Sequence, residues 1–311
     1  MKIIIQTVTY NRAGLLERTI NSVLNQSFTD FEYLIVNNGS TDNTNDLINE
    51  YCKKDSRVKT ISFSKNRIDS VAFKKRYELL NDYSAPYFMR IDDDDYMELN
   101  TVDTLYNLIM EHDADAARVG SRYVYPDGSM KNKFVFDGIY VYNRIEAMTE
   151  MLKREKFNSA IGGTLLSKNI LNFIYPDINH VRDIHISYRR MNNVQKMVVS
   201  GEPLYYFYRH DKNMSGLDSA EQITPEKINQ HLEANTMRTQ WLSEHMPEIK
   251  NYVFYCELSF MISLYERIHR LEVKDCFGIA DEMKDILQKN ISFLLNSKFC
   301  TIRENEILIS L

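Results

Sequence analysis

Four aspartates stand in a row at Asp92-Asp93-Asp94-Asp95. Adjacent carboxylates repel one another, and without a counter-charge at least one is expected to hold its proton more tightly than usual. A divalent cation removes that repulsion, and oxygen-only ligands suit Mg²⁺, Mn²⁺ or Ca²⁺. The twelve-residue, glycine-containing loop of an EF-hand is absent. Taken alone, such a run is more often a solvated acidic turn or the capped start of a helix, here one after Met97. Its position favours the metal: it directly follows the apolar stretch Tyr87–Ile91. Two other polar clusters have recognition chemistry, Thr9-Tyr10-Asn11-Arg12 and Asn37-Asn38-Gly39-Ser40-Thr41-Asp42. Tyr10 can lay its ring on a base, and Asn38 offers both a donor and an acceptor to a base edge. Ordinary turn and cap chemistry uses the same residue types.

The elements around these clusters explain why they would meet. Ile3–Val8, Phe31–Val36, Val58–Phe63 and Tyr87–Ile91 read as strands, the first two as continuous apolar runs suited to burial on both faces. Between them, Leu15, Leu16, Ile20, Val23 and Leu24 share one helical face, and Leu47, Ile48, Tyr51 and Cys52 share another. A basic amphipathic helix is expected from Val71 to Leu80, with Ser84-Ala85-Pro86 after it. Strand–helix alternation with short loops predicts a parallel sheet flanked by helices, where ligands sit at the carboxyl ends of strands. All three polar clusters fall at such ends.

The second half reads differently. Extended segments are expected at Ala116–Tyr125 and Met130–Phe136, separated by the turn Pro126-Asp127-Gly128. A helix over Arg144–Arg154 follows, then Ala160–Leu166 with the pair Gly162-Gly163, which suits close backbone approach to a ligand or a tight turn. A further helix from Asp183 to Met191 precedes two short strands near Met197–Val199 and Leu204–Tyr208. From Thr224 onward the pattern is helical, with Thr224 as N-cap and Pro225 at the first helical position.

Composition narrows the function classes. Of 311 residues, 38 are Lys or Arg and 43 are Asp or Glu, a net charge of −5. An acidic balance is poor for sequence-independent grip on nucleic acid, so no nucleic-acid partner is expected. Cys52, Cys256, Cys276 and Cys300 have no framework spacing and read as reduced thiols in a cytoplasmic protein. No secretory leader and no stretch of ~18 apolar residues is evident. The expected location is cytoplasmic, with peripheral attachment to the inner face of the cell membrane left open.

The strings Thr9-Tyr10-Asn11-Arg12, Ser22–Ser27, Asn37–Thr44 and Ile91–Asp95, in that order, resemble the family 2 glycosyltransferases of the GT-A fold. Arg182-Asp183 and Tyr208-Arg209-His210 fit the family's later motifs less specifically. The resemblance covers roughly residues 1–215. It implies an α/β fold, a GT-A type, Rossmann-like, mostly parallel sheet flanked by helices, with a C-terminal helical appendage. The expected division is a catalytic domain at 1–220, with a nucleotide-binding half at 1–98 and an acceptor-binding half at 99–220. Residues 221–311 form the helical region, open to packing on the domain, homo-oligomerisation or membrane contact.

The same resemblance implies an inverting transferase with a nucleotide-sugar donor, by default a UDP-sugar, and a saccharide or lipid-linked acceptor, with Mn²⁺ or Mg²⁺ as cofactor. Bacterial surface polysaccharide synthesis is the expected setting. The D-x-D acids fall on Asp92 and Asp94. Asp94 would bind the metal with His210 as a further ligand or phosphate contact, Asp92 would face the ribose or the metal, and Asp95 would support them from behind. Val8, Tyr10, Arg12, Asn38, Arg76, Asp92 and Asp93 would bind the nucleotide sugar. Asp183 would be the general base, with Asp177 in reserve, and Asp211–Ala220 a mobile lid or a linker. The sequence departs from the family pattern at Val8, Asn37-Asn38, Arg76-Tyr77 and Arg182. An Asn accepts a base N–H without the charge assistance of an Asp, a difference on the order of 1 kcal/mol. These departures keep a catalytically degenerate binding scaffold as an alternative. A sugar-phosphate nucleotidyltransferase is another, although the glycine-rich basic loop it needs after the first strand is missing.

Overall fold

The computed structural model describes residues 1–67, 75, 78–173, 175, 182–210, 217 and 219–311. The side chains of Asn81, Asp82 and Arg182 also fall outside the description. The expected helix at Val71–Leu80, with Arg76, therefore lies largely outside the described residues, as do Asp177 and most of the segment Asp211–Ala220. The chain forms two compact units. One comprises Met1–Asn179 with Arg189–Asp211, the other His180–Tyr188 with Lys212–Leu311.

The first unit is built on a sheet of ten strands among the described residues. β1 (Ile3–Thr9), β2 (Phe31–Asn37), β3 (Val58–Ser62) and β4 (Tyr87–Arg90) lie in the order β3-β2-β1-β4, all parallel. β1 and β2 are buried nearly throughout, as their apolar runs require. Helix α1 (Ala13–Leu24) buries Leu16, Ile20 and Val23, spaced by one turn, in the core that also holds Ile3, Ile5, Ile35 and Met89. Helix α2 (Thr44–Lys54) buries Ile48 and Tyr51. The register aligns Thr9 with Asn37 and Gln6 with Arg90, so the three polar clusters leave the sheet side by side.

Beyond β4 the sheet is mixed. β5 (Tyr96–Met97), β6 (Ala116–Val124), β7 (Met130–Phe134), β8 (Ile139–Asn143), β9 (Thr164–Ser167) and β10 (Lys196–Tyr208) complete it. β9 is antiparallel to both β4 and β6, and β10 is parallel to β6. The parallel arrangement expected from the first half thus holds from β3 to β4, and beyond it parallel and antiparallel pairs mix. The two short strands expected near 197 and 204 are one strand, β10, whose register with β6 shifts on both sides of Pro203. Proline and glycine read as a break, whereas here they bend a continuous strand: Gly201 packs against the Phe136 carbonyl too closely for any Cβ. β5, directly after the four aspartates, pairs with the far end of β10 and ties the acid run to Tyr205 and Tyr206.

The second unit is helical: Pro225–His245, Lys250–Arg270, Phe277–Lys289, Ile291–Leu295 and Ile302–Ser310, together with the start of Arg182–Asn192. Thr224 accepts the Lys227 N–H and Pro225 opens its helix, as its cap sequence predicts. Ile228, Leu242, Val253, Leu258, Ile262, Met283 and Leu287 are buried. Among the described residues no helix is long and apolar enough to cross a membrane.

Candidate active site

The loops after β1 and β2 are sewn together by Asn11, which takes a positive φ of 51°. Its backbone N–H donates to Ser40 Oγ at 3.0 Å, and its Oδ1 accepts the Thr41 N–H at 2.8 Å. Arg12 N–H donates to Thr44 Oγ1 at 3.1 Å, and Asn38 N–H to the Thr9 carbonyl at 2.8 Å. Asn37 Oδ1 accepts the Ser40 N–H at 3.0 Å while its Nδ2 donates to Asn45 Oδ1 at 3.2 Å. Asn38 reaches the segment after β3. Its Nδ2 donates to Asn66 Oδ1 at 2.5 Å and to the Arg67 carbonyl at 3.1 Å. A carboxylate could not make those donations, so the amide at this position has a structural cause. Gly39, at φ 77°, lies so close to Lys65 that a Cβ would stand 2.3 Å from its carbonyl carbon. Val8 lies in β1 opposite Val36, and Tyr10 is exposed beyond its end.

The four aspartates have four different surroundings. Asp92 is 46% exposed and takes an ion pair from Arg90 Nη2 at 2.9 Å. Asp93 is pushed up to about 6 by burial, opposed by the nearby Thr9 hydroxyl, and reinforced by Asp94 and Asp92. The Arg12 guanidinium pulls the other way. Asp94 Oδ2 lies 3.1 Å from His210 Nε2, and both side chains are largely shielded from solvent. Asp95 is buried and accepts from Tyr205 Oη at 2.8 Å and Tyr208 N–H at 3.0 Å. Burial raises its carboxyl well above the usual range, and Asp92 and Asp94 add to this. Asp95 therefore anchors the buried end of the run. Its partner Tyr205 is accommodated by Gly162 and Gly163, where an added Cβ would meet the Tyr205 ring at 2.7 Å and the Tyr205 Cβ at 3.0 Å respectively. The glycine pair answers to this ring.

Sequence reasoning missed Arg18. From α1 its Nη2 donates to the Asp94 carbonyl at 2.7 Å, and its guanidinium lies 4.1 Å from the Tyr208 ring centroid and 4.6 Å from that of Tyr96. Thr19 Oγ1 donates to the Asp95 carbonyl at 2.7 Å. An arginine inside an amphipathic helix gives no local signal for this role. Asp183 stands exposed in the first turn of helix Arg182–Asn192, in the second unit.

The Asp94–His210 pair fits a divalent ion. Cis ligands of an octahedral ion at about 2.1 Å lie about 3 Å apart, which matches the 3.1 Å separation. Among the described residues no three His, Cys, Asp or Glu side chains form a metal-binding group. The remaining positions would fall to phosphate and water, the usual habit of Mg²⁺ at nucleotide sites.

The family model described as Glycosyl transferase family 2 matches residues 4–154. Glycosyltransferase GlyA of Streptococcus pneumoniae is 28% identical over 160 residues, covering 48% of this chain and 22% of GlyA. A GalNAc(5)-diNAcBac-PP-undecaprenol beta-1,3-glucosyltransferase of Campylobacter jejuni is 25% identical over 159 residues, covering 51% of this chain and 48% of that protein. The chain thus spans half or less of these two relatives. The crystal structure of S. aureus TarS 1-349 in complex with UDP-GlcNAc superposes with a TM-score of 0.64 at 15% identity, covering 100% of this chain and 84% of that one. Residues 4–154 thus match the glycosyl transferase family 2 model, and the sheet has the GT-A fold.

Proposed function

We propose that the chain is an inverting, metal-dependent glycosyltransferase. It would move a sugar from a nucleotide-sugar donor to a hydroxyl of a saccharide or lipid-linked acceptor in bacterial surface polysaccharide synthesis. The observation that carries this reading is the Asp94–His210 pair, 3.1 Å apart, beside the joined loops of β1 and β2 at the carboxyl ends of parallel strands. The UDP-GlcNAc bound to TarS and the undecaprenol-linked substrate in the name of the Campylobacter relative support the donor and acceptor classes. Uridine is the default base.

Asp94 and His210 would hold Mn²⁺ or Mg²⁺, whose positive charge stabilises the departing nucleoside diphosphate. Asp92, turned toward solvent, would face the ribose or the ion. Arg12 keeps positive charge beside Asp93. Tyr10 would stack on the base. Asn38 Oδ1 meets the Arg67 N–H only at 3.4 Å, so it retains capacity to accept from a base N–H. Asp183 would take the proton from the acceptor hydroxyl as that oxygen attacks the anomeric carbon opposite the leaving group, which inverts its configuration.

Turnover of nucleotide sugars with and without Mn²⁺ tests the proposal. Asp94→Asn is expected to lower kcat on the order of 10²-fold or more, with chelator reproducing the loss in the unaltered chain. Full transfer by Asp94→Asn in the absence of metal would contradict it.

A further inference from the structure

A second charged cluster lies in the mixed half of the first unit's sheet, and no sequence pattern announces it. Arg118 on β6 is 2% exposed. Its Nη1 donates to the Ala160 carbonyl at 2.5 Å, with Thr164 Oγ1 and the Asn158 carbonyl at 3.3 and 3.4 Å. Its Nε and Nη2 are buried and have no hydrogen-bond partner among the described residues. Those two groups form one edge of the guanidinium, the edge that binds a carboxylate or phosphate through two parallel hydrogen bonds. The held Nη1 fixes the orientation of that edge.

Other cations gather around it. Arg118 and Lys133 both lie over the Phe134 ring, at 5.8 and 5.5 Å from its centroid. Lys133 and Arg209 share the Tyr123 ring, at 4.9 and 5.3 Å. Lys133 Nζ also sits 3.5 Å from the centre of Phe207. Burial lowers the Lys133 ammonium to about 7, with Arg118 and Arg209 adding repulsion. The acid that opposes this is Asp95, whose oxygens already accept from Tyr205 and Tyr208. Like charges are thus held together in an apolar setting, within a chain whose net charge is −5. Such an arrangement is costly unless an anion joins it.

We infer that Arg118 and Lys133 form a binding site for an anionic oxyacid group, a carboxylate or phosphate carried by the acceptor or by the donor sugar. The inference rests on the transferase reading for its choice of ligands. Its place beside the catalytic acids follows from the chain: Asp95 succeeds Asp94, and Arg209 precedes His210. The consequence is specificity, since an acidic sugar or a phosphodiester would be held where a neutral sugar leaves Arg118 unpaired.

Calorimetry on the full chain tests this with two sets of probes. D-glucuronate and sn-glycerol 3-phosphate, against neutral D-glucose, represent acceptor anions. UDP-glucuronate against UDP-glucose represents an acidic donor sugar. Lys133→Met is the variant of choice because Lys133 is partly exposed and makes no hydrogen bond that the fold requires. It is expected to weaken at least one set of acidic probes by tenfold or more, and Mn²⁺-UDP by less than twofold. Loss confined to glucuronate and glycerol phosphate assigns the anion to the acceptor; loss confined to UDP-glucuronate assigns it to the donor sugar. Acidic and neutral probes binding alike, no acidic probe binding, or an unchanged Lys133→Met would overturn the site. Failure of Mn²⁺-UDP to bind, with the free-anion discrimination intact, would instead remove the transferase reading and leave the anion site standing.

Discussion

Burial holds the Asp93 carboxyl at about 6, above the value of an unfolded aspartate near 3.9. The protonated form is therefore favoured by folding. Its contribution to stability is full below about pH 4 and is lost as pH rises through 6. Asp93 is only partly shielded from solvent, so the effect is on the order of 1–2 kcal/mol rather than the full value its shift implies. Asp93→Asn in metal-free buffer is expected to stabilise the chain by that amount at pH 8 and by nothing below pH 4. Chemical denaturation at the two pH values checks this, and equal effects at both would contradict it. The environment of the acid run explains what the letters could not convey. Four identical residues in sequence divide into an exposed ion pair, a proton-retaining carboxyl, a histidine partner and a buried anchor because their neighbours come from α1, β1 and β10. Asp94 and His210 were legible as candidates through motif resemblance. Arg18, Tyr205 and the Arg118–Lys133 cluster were not, because tertiary contacts define them.

At the scale of elements, the first four strands were readable because parallel strands buried on both faces leave continuous apolar runs. β8 was not, since residues Ile139–Asn143 are mostly exposed and alternate no polar face against an apolar one. β5 has two residues and no pattern of its own. Turn chemistry, in contrast, proved more exacting than a turn signal suggests. Gly39 satisfies both a positive φ and a contact with Lys65 that admits no side chain. Gly39→Ala would push the loop after β3 away from that after β2 and disturb the Asn38 hydrogen bonds. The expected result is a loss of about 2–4 kcal/mol in stability, above the ordinary range for surface changes, together with weaker nucleoside diphosphate binding. Calorimetric binding of UDP and a melting curve check both effects, and wild-type values for each would show that the close approach is dispensable.

For the molecule as a whole, the α/β fold and the C-terminal helical region were foreseen, although the helical unit also takes in His180–Tyr188; the meeting of the three loops follows from sheet connectivity once the strands are known. Chemistry requires more than that meeting. Shared placement at a strand's carboxyl end brings groups within reach, but an ion is held only where donors of suitable type lie a cis-ligand distance apart, as Asp94 and His210 do. In the proposed reaction, acceptor identity would depend on the mixed half of the sheet, where sequence patterns carry no recognition code. In the proposed reaction, Asp94 and His210 hold the ion that steadies a nucleoside diphosphate. Crystals grown with Mn²⁺ and UDP, measured at the manganese absorption edge, test this. An anomalous peak is expected about 2.1–2.3 Å from both Asp94 Oδ2 and His210 Nε2, with diphosphate oxygens completing the coordination. A bound diphosphate with no anomalous peak at this pair, or manganese held elsewhere, would contradict it.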